Sequence, residues 1–398
     1  MCSLRRHITM AAALLAWAAL SSCNNQPTDQ GLTSGSKPPE TAFAPLPLDG
    51  SMNNAFKLRL EWHGNDSDGI IQGYEYRITG PLFDNTWTFT ESFFVNFKFR
   101  NGWHTIEVRA IDNTGTVDPT PATLNFHVLG PTFDQGILIM DDEPNAVATE
   151  ALVDAYYDSL MIGAGYTRYT VWDYQAQFAT SRPVFTPPPN DTTGTIGIGA
   201  FTTIIWYTTD AGNIGLNERI LQDYLDMGGN LWVCGSNVIE AITGNSPTGV
   251  EFAPNSMPYK YFHALRAKAA NLNLDWLIGL DDRFPDASTS YQVPNTTIFQ
   301  YFLTEVNQLI PQPDAMPVYF FSSNYYRDTR RAIDVNSEEF AGTPNAIVYK
   351  GDTFKTALFG FPLVSIARAG AASFNIVNTA AMTKTVRYIL EQEFQEPK

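Results

Sequence analysis

Three consecutive acidic residues, Asp141, Asp142 and Glu143, form one group in this sequence that could do chemistry. They follow the short apolar run 136–140, which is typical of a buried parallel strand. Ligands of open α/β sheets bind at the carboxyl ends of strands, and neighbouring carboxylates raise one another's pKa or hold a cation. We therefore expect a divalent-cation or polar-ligand site. The alternative is that these carboxylates cap backbone N–H groups at the strand end.

A cysteine and a histidine form a second candidate pair. Cys234 ends the predicted strand 231–234 and precedes a helix, where a thiol nucleophile could lie, and His263 is the one histidine in residues 131–398 and could act as its base. The alternative is a small apolar cysteine packed at the strand end. The sequence contains no Walker loop, G-x-G-x-x-G, G-x-S-x-G or zinc-type spacing.

A third candidate is a calcium site at Asp66 and Asp68, which flank Ser67 and precede Gly69. Calcium binds clustered carboxylate oxygens. Asx side chains also hydrogen-bond their own backbone in solvated turns, and this is the alternative. The sequence indicates no cofactor apart from this calcium alternative.

Composition limits the class of protein that must position these residues. The chain has 398 residues, a net charge of −16 and 44% hydrophobic residues. The length predicts two or three domains, and the apolar fraction excludes wholesale disorder. The acidity argues against nucleic acid as a partner and against attachment to anionic membranes through charge.

Residues 1–23 read as an export signal: Arg5 and Arg6 precede an apolar run that is too short to span a bilayer. Leu20-Ser21-Ser22-Cys23 resembles the lipobox of bacterial lipoproteins, and an ordinary secretory signal is the alternative. The resemblance implies a membrane anchor through acylated Cys23 and an outer-membrane location. Cleavage would leave 23 basic against 41 acidic residues, a net charge of −18. Polar residues 24–43 predict a flexible tether.

Residues 44–130 alternate apolar and polar positions in about seven short strands, which predicts a β-sandwich. Two patterns in this stretch resemble a fibronectin type III or immunoglobulin-like module of bacterial surface proteins. They are W-x-G-x-D-x-D-G-x-I-x-G-Y-x-Y from Trp62 and G-x-H-T-I-x-V-R-A-x-D from Gly102. The resemblance implies a spacer or a binding platform.

Residues 131–398 alternate strands and helices, which predicts a three-layer α/β domain with a mainly parallel sheet. An irregular and helical insertion is expected over about 244–345. The motifs ILIMDDE, YLDMGGNLWVCGSN and ALFGFPL resemble the class I glutamine amidotransferase-like, flavodoxin-like superfamily, in its non-catalytic versions. Catalytic members carry G-x-C-x-G and a later H-x-E. Here Trp232 stands at the first glycine position, and no histidine follows the last strand.

The sequence thus favours a multidomain, lipid-anchored cell-envelope protein that binds or scaffolds without catalysis, with an envelope protein or a polysaccharide as partner. One alternative is a hydrolase of an envelope or extracellular polymer that uses Cys234 or the Asp141 cluster. Another is a carbohydrate-binding protein that uses aromatic residues of the insertion, Tyr319-Phe320-Phe321 and Tyr325-Tyr326.

Overall fold

The computed structural model describes residues 37–45, 47–53, 55–143, 150–177, 182–187, 195–208, 212–274, 276–288, 290–292, 299–301, 303–322, 337–366 and 380–398. The export signal with Cys23 lies outside the described residues, as do most of the tether and the aromatic pair Tyr325-Tyr326. Among the described residues, no helix has the length and apolar character needed to cross a bilayer.

The N-terminal part consists of two sheets. One has the order β1-β3-β7, and the other has the order β2-β9-β8-β4-β5, with β6 paired to β4. The strands are β1 (Glu40–Phe43), β2 (Ser51–Asn53), β3 (Lys57–Asn65), β4 (Ile71–Gly80), β5 (Phe83–Asp84), β6 (Thr88–Thr90), β7 (Phe94–Lys98), β8 (Gly102–Asp112) and β9 (Ala122–Val128).

The two sheets enclose one apolar core, so this part is a β-sandwich. Alternation along β8 turns His104, Ile106, Val108 and Ala110 inward, where the side chains of Leu60 and others from the smaller sheet meet them. The tether was expected to continue to residue 43, but β1 pairs with β3 in antiparallel register and belongs to the smaller sheet.

The C-terminal part contains a nine-stranded sheet with the order β11-β10-β12-β13-β23-β22-β21-β16-β17. The first five strands of this order run parallel, as predicted, and the other four are antiparallel. Its strands are β10 (Ile137–Asp141), β11 (Tyr169–Asp173), β12 (Thr203–Thr208), β13 (Asn230–Gly235), β16 (Trp276–Gly279), β17 (Ala287–Ser288), β21 (Met316–Phe321), β22 (Pro344–Lys350) and β23 (Lys355–Phe359).

Apolar clusters cover both faces of this sheet. Ile137 and Ile139 of β10 belong to one cluster, and the alternating Leu138 and Met140 belong to the other.

Helices contribute side chains to both clusters. The α-helices are Glu150–Ala164, Tyr174–Gln177, Glu218–Asp226, Val238–Thr243, Met257–Lys260, Ser337–Phe340 and Ala380–Tyr388; the 3-10 helices are Ile198–Ala200, Ile214–Asn217 and Leu363–Ile366; Ile389–Glu393 is a π-helix. The domain boundaries and the three-layer domain stay predictions.

The insertion differs from expectation, because the described part of residues 244–345 is mostly β-structure. The remaining strands are β14 (Thr248–Glu251), β15 (Ala264–Leu274), β18 (Ser290–Gln292), β19 (Phe299–Tyr301) and β20 (Leu303–Pro311). β14, β15 and β20 form a separate antiparallel sheet. The Ala-rich sequence of β15 suits a helix, but pairing to β20 along its length overrides that local preference.

Ion pairs join the sandwich to the C-terminal part. Lys57 and Lys98 reach the carboxylate of Asp223 at 2.6 and 3.1 Å. The guanidinium of Arg100 donates to the carbonyl of Met227 at 2.9 Å, just past the last turn of the helix that carries Asp223. Cations are favourable at this end of a helix, where the backbone dipole is negative.

Candidate functional site

Two of the predicted site residues, Asp141 and Cys234, lie in one row at the carboxyl edge of the parallel sheet, with Tyr207 between them. Asp141, the last residue of β10, is in register with Tyr207 of β12, and Tyr207 is in register with Cys234 of β13. Tyr157 stacks on Tyr207 with 3.8 Å between ring centroids and reaches the Cys234 sulfur with its hydroxyl at 3.4 Å. The row is therefore a continuous chain of polar side chains.

Asp141 lies at one end of this row and is 3% exposed. Burial raises its pKa from 3.8 to about 7, and a nearby carboxyl group, Asp154, adds to the effect. Hydrogen bonds from the Tyr207 hydroxyl and the Glu143 backbone N–H, the latter at 3.0 Å, act in the opposite direction. The side chain of Asp141 therefore holds its proton up to near neutral pH.

Asp142 is surrounded by hydrogen-bond donors from three other segments. Its carboxylate accepts from the Gln175 amide at 2.9 Å, the Trp206 indole at 3.1 Å, and both the backbone N–H and the side-chain amide of Asn213. Burial still raises its pKa. The Asp142 carboxylate is therefore engaged by four donors, three of which are side-chain groups from other segments of the chain.

The described residues contain no cluster of three His, Cys, Asp or Glu side chains that could hold a metal ion. Glu143 is buried beside Asp142, but the three acidic residues do not converge on one point within the described part of the chain.

Cys234 lies within a strand and is fully buried. Burial raises the pKa of its thiol to about 12, so the thiolate nucleophile is essentially absent at neutral pH. The strained backbone of the strand-to-helix connection belongs instead to Asn237, whose φ is 51°. The cysteine therefore does not occupy an exposed elbow.

The candidate base lies elsewhere. Nδ1 of His263 contacts the carboxylate of Asp314 at 2.9 Å, and its ring stacks on Tyr349 at 3.4 Å. Its chain neighbour Phe262 packs in the apolar cluster on one face of the sheet, whereas Cys234 packs in the cluster on the other face. The structure gives the cysteine and the histidine different partners and does not bring them together.

At the candidate calcium site, the Asp66 carboxylate accepts the backbone N–H of Asp68 at 3.1 Å. Asp68 in turn accepts the backbone N–H of Lys37 at 3.1 Å. The first is a side-chain-to-backbone contact of a turn, and the second joins this turn to the start of the described chain. The aromatic residues Tyr319 and Phe321 of the insertion are buried and pack in the core.

A surface that the sequence reasoning did not identify lies on the solvent side of the larger sandwich sheet. We call it the outer face; its strand residues are Gly73, Glu75, Arg77, Thr79, Phe89, Trp103, Thr105, Glu107, Arg109, Thr123, Asn125 and His127. Trp87, whose ring lies against Arg77 and Arg109, belongs to the same face.

At one end of the outer face, the Trp87 ring lies beside two arginines. The guanidinium groups of Arg77 and Arg109 are 4.7 and 4.2 Å from its centroid. Each arginine pairs with a cross-strand glutamate at 2.6 Å, Arg77 with Glu107 and Arg109 with Glu75. The four charges neutralise one another and hold the indole in place.

At the other end of the outer face, the Trp103 side chain is 59% exposed. Its ring meets that of His127 edge-on, with centroids 5.4 Å apart. Next along the strand, the Thr105 hydroxyl donates to the Asn125 amide oxygen at 2.7 Å. The period-2 pattern of β8 could have revealed this face, because Trp103, Thr105, Glu107 and Arg109 alternate with the buried positions.

No protein-family model matches the chain. No curated protein matches it. Solved structures with partial similarity include the fibronectin(III)-like modules of Clostridium thermocellum CbhA, with 21% identity over 23% of this chain and 46% of that chain and a TM-score of 0.19. The PKD1 domain of Vibrio anguillarum Epp has 18% identity over 23% and 98%, with a TM-score of 0.18. Carbohydrate-binding modules from the β-sandwich superfamily have 17% identity over 25% and 40%, with a TM-score of 0.20.

This chain thus spans less than half of the CbhA structure. TM-scores this low carry no argument about architecture or ligand, so the sandwich assignment rests on the strand pairing and on the shared core described above.

Proposed function

We propose that this protein is a lipid-anchored cell-envelope protein that works by binding, and that the outer face binds a neutral polysaccharide. One observation carries the proposal: a single open sheet face presents an exposed indole together with charged groups that neutralise one another. Trp103 is 59% exposed, and both arginines beside Trp87 are paired with glutamates.

The ligand class follows from the chemistry of this face. A sugar ring has an apolar C–H side that packs on an indole and a rim of hydroxyl groups that exchange hydrogen bonds with polar side chains. Asn125, Thr105 and the Arg77–Glu107 pair provide amide, hydroxyl and charged partners between the two indoles. An open sheet face accommodates an extended chain, and the net charge of −16 disfavours an anionic polymer.

The absence of catalysis is supported by the carboxyl edge of the parallel sheet. The Cys234 thiol is buried with a raised pKa, and His263 is engaged with Asp314. The Asp142 carboxylate is engaged by its own donors. Cys234 and Asp142 are thus engaged in packing and hydrogen bonding at the sheet edge, and His263 lies elsewhere with other partners, which favours binding over the polymer-hydrolase alternative.

The anchor is supported by the resemblance of residues 20–23 to a lipobox. Several acyl chains on Cys23 would hold the protein on its membrane, whereas a single chain binds only marginally. The acidic folded part would be repelled by anionic lipid headgroups and would stand away from the surface.

Affinity electrophoresis tests the binding proposal. The folded protein is run through native gels that contain dextran, β-glucan, mannan or, as an anionic comparison, alginate. We expect retardation by at least one neutral polymer, and loss of that retardation in Trp103→Ala. Phe93→Ala is the matched control, because Phe93 is 56% exposed but lies next to the smaller sheet.

Migration unchanged by every neutral polymer, or equal retardation of wild type and Trp103→Ala, would contradict the proposal. Release of reducing ends from the same polymers by the wild type, lost in Cys234→Ser, would instead support the hydrolase alternative.

A further inference from the structure

A groove lies between the sandwich and the C-terminal part, away from the outer face. Its cavity volume is about 590 Å³, within the range of roughly 300–1,000 Å³ typical of small-molecule sites. Junctions between structural units are common places for such sites. The lining residues are Ala55, Phe56, Lys57, Arg182, Pro183, Phe185, Thr186, Leu216, Asn217, Arg219, Ile220 and Asp223.

Apolar side chains form one part of the groove. Phe56 of the sandwich side stacks on Phe185 with ring centroids 4.2 Å apart and an interplanar angle of 26°. Phe56 packs against the sandwich core and against one of the two apolar clusters of the C-terminal part. Leu216 is 64% exposed on the groove wall. An apolar ligand body placed here would cover that leucine.

Cations outnumber anions among the residues that line the groove. Lys57, Arg182 and Arg219 face a single carboxylate, Asp223. That carboxylate is already neutralised by Lys57 at 2.6 Å and by Lys98 at 3.1 Å. Arg219 is exposed and forms no ion pair with any described residue. The groove is therefore locally positive in a chain whose net charge is −16.

We propose that this groove binds an amphipathic organic anion, a small molecule with an apolar body and one carboxylate or sulfonate group. The body packs against Phe185 and Leu216, and the anionic group pairs with the guanidinium of Arg219. Guanidinium groups bind carboxylates and tetrahedral oxyanions through two parallel hydrogen bonds, which an ammonium group cannot reproduce. This site is independent of the polysaccharide proposal, because it shares no residue with the outer face.

A pair of dyes tests both halves of the recognition. 1-Anilinonaphthalene-8-sulfonate carries the apolar body and the anion, and N-phenyl-1-naphthylamine carries the same body without charge. In fluorescence titrations of the folded protein we expect saturable one-to-one binding of the sulfonate dye. Arg219→Gln should weaken that binding about tenfold through loss of a charge-assisted contact. The same change should leave the affinity for the neutral dye within about twofold.

Two further variants serve as controls. Leu216→Ser should weaken both dyes, because it removes apolar contact without changing charge. Arg266→Gln removes an exposed arginine on β15, outside the groove lining, and should change neither affinity. Non-saturable sulfonate-dye binding, or equal affinity in wild type and Arg219→Gln, would overturn the proposal. Equal weakening by Arg219→Gln and Arg266→Gln would also overturn it, because that result reports net charge alone.

Discussion

Replacement of Asp141 by asparagine tests whether burial controls the ionisation of the acidic residues at the sheet edge. Asp141 is 3% exposed, and its burial, reinforced by the neighbouring carboxyl group of Asp154, raises its pKa to about 7. Asparagine has the same shape and keeps an oxygen that can accept from Tyr207 and from the Glu143 backbone, but it carries no charge at any pH.

The sign and size of the effect follow from proton linkage. The unfolded carboxyl ionises near 3.8 and the folded one near 7, so between these pH values the folded state binds the additional proton. The contribution of Asp141 to the free energy of unfolding therefore falls by about 1.4 kcal/mol per pH unit over this range, a total of about 4 kcal/mol, and is constant above it. Asp141→Asn should match the wild type near pH 4 and exceed its free energy of unfolding by about 2–4 kcal/mol at pH 8.

Urea denaturation at several pH values from 4 to 9 measures this difference directly. Asp142→Asn is the matched control: its side chain accepts hydrogen bonds from Gln175, Trp206 and Asn213, and an amide in its place would direct N–H groups at those donors. We expect it to lose about 2–4 kcal/mol at pH 8. Parallel pH profiles for wild type and Asp141→Asn would refute the reasoning.

Three other predictions concern the thiol, the junction and the anchor. Cys234 should react with iodoacetamide at pH 8 on the order of 1,000-fold more slowly than an exposed cysteine, because its pKa of about 12 leaves little thiolate. Labelling at the rate of an exposed thiol would contradict this prediction. Asp223→Asn should lower the free energy of unfolding by about 1–2 kcal/mol in low salt, because it breaks the ion pairs to Lys57 and Lys98. The loss should be smaller in 1 M salt, because these pairs are only partly shielded from water. Equal stability of wild type and variant in low salt would argue against these pairs. Cys23→Ala should abolish incorporation of labelled palmitate in cells, and a variant that stays labelled would exclude lipidation at this residue.

The sandwich could be read from the sequence because each strand carries its own signal. In β3, Leu58, Leu60 and Trp62 alternate with charged residues, and the inward positions of β3 and β8 fill one core. The same alternation marks Trp103 as outward, yet it does not show that Trp87, from a separate segment, shares that face. Only the pairing of β6 with β4 brings the two indoles onto one surface.

The carboxyl edge was predictable in position but not in detail. A buried strand followed by Asp141 and Asp142 places these acidic residues at the end of β10, and the cation or ligand site expected there stays a prediction. The partners of Asp142 come from residues that are 33 to 71 positions away, and no local pattern specifies them. The burial that raises the pKa of Cys234 likewise depends on contacts from the whole sheet.

The insertion shows where local preference fails. Ala264–Leu274 is rich in good helix formers, and Ala264, Ala267 and Ala270 recur at nearly helical spacing. Pairing with β20 holds this segment as a strand, with register shifts near both of its ends.

Oxidative footprinting with bound polysaccharide tests the central proposal most directly. Trp103 and Phe93 have nearly equal exposure, 59% and 56%, and should be oxidised at comparable extents relative to their intrinsic reactivity in the free protein. With the neutral polymer that retards the protein, we expect protection of Trp103 and Trp87 and unchanged oxidation of Phe93. Equal oxidation of Trp103 with and without the polymer, or protection confined to Phe93, would contradict it.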